Sequence, residues 1–253
     1  MKLTFLGTGT SQGVPVIACE CEVCRSLDYK DKRLRTSVLI SSESTQVVID
    51  TGPDFRQQML RERVEYLDAV IYTHEHKDHT AGLDDVRSFN FKQNADMPVY
   101  GRKQVLEQIQ IEFAYAFQKK KYPGVPKIKC IEIENKPFTI NDIEFTPVEV
   151  MHHKLPVFGF KVKEMAYITD ANFITEAEKD KLKGLKVLVI NALQFESHIS
   201  HFTVDEALEL IEELKPQQAY LIHISHKFGL HAKVEPNLPE NVAIAYDGHS
   251  IEF

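Results

Sequence analysis

The stretch Thr73-His74-Glu75-His76-Lys77-Asp78-His79 places three histidines and an aspartate within six residues. Ahead of it, Asp68-Ala69-Val70-Ile71-Tyr72 is a short apolar run that reads as a buried strand. Behind it, Thr80-Ala81-Gly82-Leu83-Asp84-Asp85-Val86 reads as the start of a helix. The cluster therefore sits where a strand hands over to a helix, the place where layered α/β folds gather ligands and chemistry. Neutral imidazoles and carboxylates are ligands for zinc and other transition metals. His74 and His76 are placed to share one ion, and Asp78 and His79, one turn on, to hold a second.

A chain of 253 residues, 43% of them hydrophobic, can bury a sizeable core, and we read residues 1–253 as one domain. The formal net charge of -7 argues against a wide nucleic-acid surface, which carries a basic footprint. It leaves room for a small anionic substrate, because a bound cation dominates its local field. The apolar run near Met1 is short and broken early by Gly7, unlike a signal peptide, and no run approaches a membrane span. A cytoplasmic location is the expectation. Cys19, Cys21 and Cys24 lie within six residues of one another, a spacing that suits metal ligands better than disulfides in such a compartment.

Lys2 to Leu6 reads as a strand, followed by the loop Gly7-Thr8-Gly9-Thr10-Ser11-Gln12-Gly13. No Gly-Lys-Ser/Thr follows, so the loop is not a P-loop; it is either a tight connection or a close approach to a site. Residues 36–41 and 46–50 read as a hairpin, 55–63 as a helix, and 104–117 as a helix with Val105, Ile109, Phe113 and Phe117 at helical spacing. Lys119-Lys120-Lys121 is a basic run, read as a solvated helix end. Strands follow at 127–133, 143–150, 158–163 and 166–169. After these, helices at 175–183 and 203–214 alternate with strands at 187–190, 219–224 and 242–245. The Thr203-Val204-Asp205-Glu206 run gives the second of these helices a capping box. Two sheets face to face with helices outside are the predicted architecture.

Three later positions repeat the pattern of an apolar strand running into a metal-competent residue: Glu149-Val150-Met151-His152, Tyr167-Ile168-Thr169-Asp170 and Ala219-Tyr220-Leu221-Ile222-His223. If those strand ends converge, His74, His76 and His152 surround one ion and Asp78, His79 and His223 a second. Asp170 then bridges them, since one carboxylate can span two ions about 3.5–4 Å apart. Asp50, after Val47-Val48-Ile49, is either a partner that orients a ligand imidazole or a turn residue. Arg35 could reach a phosphate, with no motif to support it.

These residues resemble a metallo-β-lactamase-fold hydrolase. His74-Glu75-His76-Lys77-Asp78-His79 matches the HxHxDH signature of that superfamily, and His152, Asp170 and His223 fall in its order of later ligands. The resemblance implies an α/β (α+β) fold, an αββα sandwich of two mixed β-sheets flanked by helices, with a two-metal site at the sheet edges. Gly7-Thr8-Gly9-Thr10-Ser11-Gln12-Gly13-Val14-Pro15 and Cys19-Glu20-Cys21-Glu22-Val23-Cys24 resemble the phosphoribosyl cyclic phosphate phosphodiesterases of phosphonate breakdown. That likeness implies a structural zinc on Cys19, Cys21, Cys24 and a late histidine, here His226. Cys130, in an apolar run, is the rival fourth ligand. His152 is preferred to His153 as ligand because His152-His153-Lys154-Leu155 matches His-Ser-Lys-Leu of that family.

The likeness further implies a catalytic histidine that binds no metal. His201 opens the run before the 203–214 helix and is preferred to His198 for that role, with Asp78 as the other catalytic residue. Two zinc or manganese ions would lower the pKa of a shared water, and His201, as an imidazolium, would assist the leaving oxygen. The implied activity is hydrolysis of a small, ribose cyclic phosphodiester, with a homodimer possible in the family and no membrane partner. Alternatives on the same fold are a tRNA 3′-end endonuclease, an ester, thioester or lactam hydrolase, and a non-hydrolytic relative in pyrroloquinoline quinone biosynthesis. His231 and His249 are read as structural or surface residues.

Overall fold

Ala69 and Ile71 point to one side of their strand and Val70 to the other, yet all three are buried. Such a strand needs apolar layers on both faces. The computed structural model of the protein, which describes residues 1–120 and 122–253, supplies them. Lys121 of the basic run lies outside the described residues, while Lys119 and Lys120 are exposed beyond the helical turn Ala114–Phe117.

In chain order the first strands are β1 (Lys2–Gly7), β2 (Ser37–Ser41), β3 (Gln46–Ile49), β4 (Ala69–Ile71), β5 (Met97–Gly101) and β6 (Ile128–Glu132). β1, β2 and β3 pair antiparallel, and β3 through β6 pair parallel. There follow β7 (Phe138–Ile140), β8 (Ile143–His152), β9 (Leu155–Val162), β10 (Met165–Ile168), β11 (Phe173–Ile174), β12 (Val187–Asn191), β13 (Gln218–Ile222) and β14 (Val242–Ile244). They form a second mixed sheet in the order β11-β8-β9-β10-β12-β13-β14, with β7 beside β8. β15 (Ser250–Glu252) returns to pair with β1 in the first sheet.

Three apolar layers hold this sandwich. Between the sheets, Phe5, Ile40, Ile49 and Ile71 meet Phe145, Phe158, Phe160 and Val189. Outside the first sheet, Val48, Val70 and Val99 pack under the helices Phe55–Arg61, Arg87–Gln93 and Lys103–Glu112. Outside the second, Leu188 and Ile190 pack under Ala207, Leu210 and Ile211 of the helix Val204–Leu214. Thr203 caps that helix: its hydroxyl accepts from Glu206 N at 3.2 Å and Glu206 Oε2 accepts from Thr203 N at 2.8 Å. The predicted αββα sandwich of two mixed sheets is thus observed.

Some boundaries differ from the sequence reading. The expected helix from Thr80 starts earlier, as the turn Lys77–Thr80 inside the histidine motif, and breaks into a 3₁₀ turn Leu83–Val86 before Arg87–Gln93. The predicted 104–117 helix is two helices parted at Phe113, though Val105, Ile109 and Phe113 do face the core. Residues 175–183 shorten to Glu176–Lys179 and a 3₁₀ turn. The short edge strands β7, β11 and β15 carried too few residues for a visible period.

Close backbone contact seats the motif helix on the turn after β3. Thr51 N donates to His79 O at 2.7 Å and Gly82 N to Thr51 O at 2.8 Å. A Cβ on Gly52 would lie 2.1 Å from Asp78 O, and one on Gly82 would lie 2.1 Å from Gly52 O. Both neighbours are backbone and cannot rotate away. Gly82→Ala is therefore expected to destabilise the fold by about 1–3 kcal/mol, the usual cost of overpacking. Urea denaturation measures it; a midpoint equal to wild type would show that the helix is not seated this way.

Candidate metal centre

Parallel strands expose the same end of each backbone together, so residues just past β3, β4, β10 and β13 meet at one edge of the sandwich. Asp50 follows β3, His74 follows β4 by three residues, Asp170 follows β10 by two, and His223 follows β13 directly. His152 ends β8, and Asp78 and His79 lie in the turn Lys77–Thr80. Asp50, Asp170 and His223 all have positive φ, at 67°, 56° and 57°. The left-handed region is uncommon for such residues and is a form of strain that collects at functional sites.

The donor atoms fall into groups each spanning no more than 4.8 Å. One contains His74, His76 and His152; the next contains Asp78, His79, Asp170 and His223. Asp170 reaches both: its Oδ1 is 3.4 Å from His79 Nε2, while its Oδ2 lies 3.3 Å from His223 Nε2, 3.9 Å from His74 Nε2 and 4.0 Å from His152 Nε2. All seven residues expected to converge do so. Cys130, on β6, stands apart with the apolar layer.

Hydrogen bonds fix which ring nitrogen three of the histidines present. His79 Nδ1 donates to Asp50 Oδ2 at 2.7 Å, leaving Nε2 for the centre. Thr73 Oγ1 donates to the same oxygen at 2.8 Å, so it accepts from His74 Nδ1 at 2.9 Å. Thr73 N adds a third bond to Asp50, at 2.9 Å. His152 Nδ1 donates to Ser200 O at 2.9 Å. Asp50 is thus an orienting partner and not a surface turn residue, and through Thr73 it acts on residues of both donor groups. Sequence reasoning missed Thr73 because a threonine before a histidine carries no motif of its own.

The charges require a cation. Burial pushes the Asp50 carboxyl up, against the pull of His79 and Thr73. Burial would raise Asp78 and Asp170 too, but contacts with His79 and His223 hold both well below the usual carboxylate range. Burial works against a charged His79, yet Asp78, Asp170 and Asp50 raise its pKa well above 6.5. One imidazolium among three carboxylates marks where a dication would sit. The buried Nε2 of His79 and both ring nitrogens of His223 lack a hydrogen-bond partner among the described residues, as free ligand atoms would. The donor set fits a pair of divalent ions.

His201 is buried between His152 and His223, with ring centroids at 4.7 and 4.6 Å, and its Nδ1 is 4.0 Å from Asp170 Oδ2. His198 is exposed, 5.1 Å from the His201 ring. Burial and the neighbouring His223 push His201 down to about 3. This corrects the expected imidazolium: at neutral pH the resting side chain is a neutral donor. His153, exposed at the β8–β9 turn, is no part of the cluster, whereas His231 is buried between Arg33 and Glu235. Arg35 donates to Asp54 at 2.9 Å and to Ser11 O at 3.1 Å.

The cysteine cluster forms a second site. His226 Nδ1 is 3.2, 3.6 and 3.6 Å from the Sγ of Cys19, Cys21 and Cys24. Tetrahedral zinc with bonds of about 2.3 Å to sulfur and about 2.0 Å to nitrogen spaces such atoms about 3.5 Å apart. Burial raises the Cys21 thiol but hydrogen bonds from Cys24 N and its neighbours bring it down to about 6. Burial and the adjacent thiols push Cys24 up to about 11. Three thiols this close cannot all ionise without a cation, and the set fits zinc. The glycine loop docks beside it: Ile224 N donates to Thr8 O at 2.9 Å and Thr10 N to Ile224 O at 3.1 Å. Both readings of that loop therefore hold, as a connection and as a neighbour of the site.

The chain is similar to known proteins. A family profile described as the β-lactamase superfamily domain matches residues 45–224. The solved structure of a diphosphatase from the PhnP family superposes with a TM-score of 0.93 at 36% identity, covering 100% of this chain and 97% of that one. The chain belongs to the β-lactamase superfamily. It is a hydrolase-fold chain of the metallo-β-lactamase type, and its donor clusters are the candidate metal sites of that fold. It is also similar to an octanoyltransferase of Porphyromonas gingivalis, 41% identical over 98% of this chain and 51% of that protein. A ribonuclease Z of Limosilactobacillus fermentum is 26% identical over 66% of this chain and 50% of its own length. The chain spans about half the length of these curated relatives. No helix among the described residues is long and apolar enough to cross a membrane.

The Thr73 bridge to His74 is testable apart from catalysis. Thr73→Val should weaken binding of the first ion by about 10–100-fold, as loss of a ligand's hydrogen-bonded support does. Thr73→Ser, which keeps the hydroxyl, should retain it. Competition against a fluorescent chelator reads the difference, and equal affinities in the two variants would count against the bridge.

Proposed function

We propose that the protein is a metal-dependent phosphodiesterase acting on a small molecule at the dinuclear cluster. One observation carries the reading: two donor groups meet at Asp170, whose Oδ1 is 3.4 Å from His79 and whose Oδ2 is 3.3 Å from His223 and 3.9 Å from His74. Two zinc or manganese ions held there would supply an activated water and neutralise charge on phosphoryl oxygens. His74, His76 and His152 would hold one ion, Asp78, His79 and His223 the other, and Asp170 both. A further zinc on Cys19, Cys21, Cys24 and His226 would tie the N-terminal loop to the segment after β13.

The chain's own groups then divide the work. Asp50 and Thr73 keep His79 and His74 in the tautomers that offer Nε2. Asp78, held as a carboxylate, contributes negative charge against which a cation is retained. The buried Nδ1 of His201, free of any hydrogen-bond partner among the described residues, is available to the substrate. His201 donates a hydrogen bond to the leaving or a phosphoryl oxygen as charge develops there, and an adjacent anionic substrate raises its pKa towards full proton transfer. The similarity to a PhnP-family diphosphatase supports phosphorus as the reacting centre. The likeness to ribonuclease Z supports the same bond class on a larger substrate, at lower identity.

Metal-loaded protein is expected to cleave bis(4-nitrophenyl) phosphate and a ribose cyclic phosphate. His201→Ala should lower kcat by about 10²–10⁴-fold, the range of general acid–base contributions, with metal content unchanged. Elemental analysis should find about three ions per chain, one resisting chelation. No cleavage of either ester by loaded wild type would end the phosphodiesterase reading, and a single ion would end the two-ion one. Cleavage of a precursor tRNA at its 3′ end in preference to both esters would favour the endonuclease.

A further inference from the structure

The donor atoms of His152, Asp170 and His201 also lie within 4.8 Å of one another, a third group that neither ion position uses as a set. Its spacing matches that of the first group. Asp170 Oδ2 is 4.0 Å from His201 Nδ1, 4.0 Å from His152 Nε2 and 3.9 Å from His74 Nε2. Bonds of about 2.0–2.2 Å from zinc to nitrogen and oxygen keep two donors within about 4 Å of each other, so a small inward movement closes either set. All three side chains are nine-tenths or more buried, and His201 Nδ1 has no hydrogen-bond partner among the described residues. Neighbouring groups already aim the other two. His152 Nδ1 donates to Ser200 O at 2.9 Å, which turns Nε2 inward, and Thr169 Oγ1 donates to Asp170 Oδ1 at 2.6 Å, which leaves Oδ2 the freer oxygen. A cleft of about 280 Å³, lined in part by His198, Ser225 and Lys227, opens on this side, with the His198 ring 5.1 Å from that of His201. It gives an ion a way in.

We propose that His152, Asp170 and His201 form an inhibitory position for a divalent cation present in excess of the two-ion complement. The proposal rests on the reading of His201 as the donor to the reacting ester. An imidazole nitrogen has one lone pair. His152 Nε2 therefore serves one ion at a time, and an ion at the third position draws it away from the ion on His74 and His76. His201 Nδ1 likewise carries either the proton it lends to the substrate oxygen or the ion, never both. Loading the position removes a ligand from one ion and the proton donor from the ester in a single step. Two dications already outweigh the charge of Asp50, Asp78 and Asp170, so the further ion binds more weakly than they do and enters only when metal is abundant. Two imidazoles, one carboxylate and an open fourth direction make a donor set that suits zinc.

The test follows zinc binding and activity together. Equilibrium dialysis against rising zinc, read by elemental analysis, is expected to find one further, weaker ion per wild-type chain once the thiol group and the two-ion cluster are filled. His201→Ala should weaken that ion about tenfold or more, a lower bound set by the loss of a ligand's support alone, and leave the tighter ions in place. His198→Ala, which removes the exposed neighbour, should keep it. Cleavage of bis(4-nitrophenyl) phosphate by wild type should fall as the weak ion loads, while the low residual rate of His201→Ala should hold over the same zinc range. No further ion in wild type, an equal loss of it in His198→Ala, a wild-type rate that does not fall as it loads, or a parallel fall in the residual rate overturns the proposal. If loaded wild type cleaves no ester, the phosphodiesterase reading fails by itself. Dialysis then decides the ion position: loss of the weak ion in His201→Ala alone supports it, and its persistence there overturns it.

Discussion

The site depends on the convergence of three carboxylates at a largely buried point. Asp50, Asp78 and Asp170 meet around His79, and the ion pairs they make there are all with histidines. Buried carboxylates without cationic partners are costly in any fold. A protonated His79 meets that cost partly, and a divalent cation held there would meet it while letting His79 act as a ligand. The need for a metal is therefore written into the electrostatics of the sandwich edge, as well as into the types of the donors. It also explains why hydrogen bonds from Thr73 and His79 crowd onto Asp50: an unsupported carboxylate at that depth would take up a proton and lose its hold on His79.

Backbone strain is the companion of this arrangement. Asp50, Asp170 and His223 adopt left-handed conformations, each costing roughly 1–3 kcal/mol. The chain turns sharply there because each residue must leave its strand and aim inward at once. Neighbours hold the turns in place. Asn191, at the end of β12, both donates to and accepts from the backbone of Ala171 next to Asp170, at 2.9 and 2.8 Å. Thr8 and Thr10 clasp Ile224 next to His223. The β-sandwich is rigid enough to store the strain because its strands are packed on both faces.

Much of this was legible in the residues. Four ligands in six positions, and three more at the ends of apolar runs, were enough to predict the convergence. The αββα sandwich followed from strands that must be buried on both sides, together with the family likeness. What stayed hidden was relational. That Thr73 serves His74 depends on β3 and β4 lying parallel, which brings Asp50 beside Thr73, and no local pattern announces it. The neutral state of His201 follows from burial between two other imidazoles, which the sequence does not display. The break at Gly82 reflects contact with Gly52, 30 residues earlier in the chain.

The segment from His223 to Lys227 ties these features together. His223 faces the histidine–aspartate cluster, Ile224 is bonded into the glycine loop, Ser225 and Lys227 line the adjacent cleft, and His226 joins the thiols. The left-handed bend at His223 and the turn at His226 and Lys227 let five residues serve two donor groups and a cleft without a long loop. The geometry has a consequence for the cysteine cluster. Any movement of His226 is passed within three residues to His223 and within one to Lys227. A closed tetrahedral zinc at the thiols would fix the anchor from which both side chains are aimed, which gives a site with no reacting atoms a direct bearing on catalytic geometry.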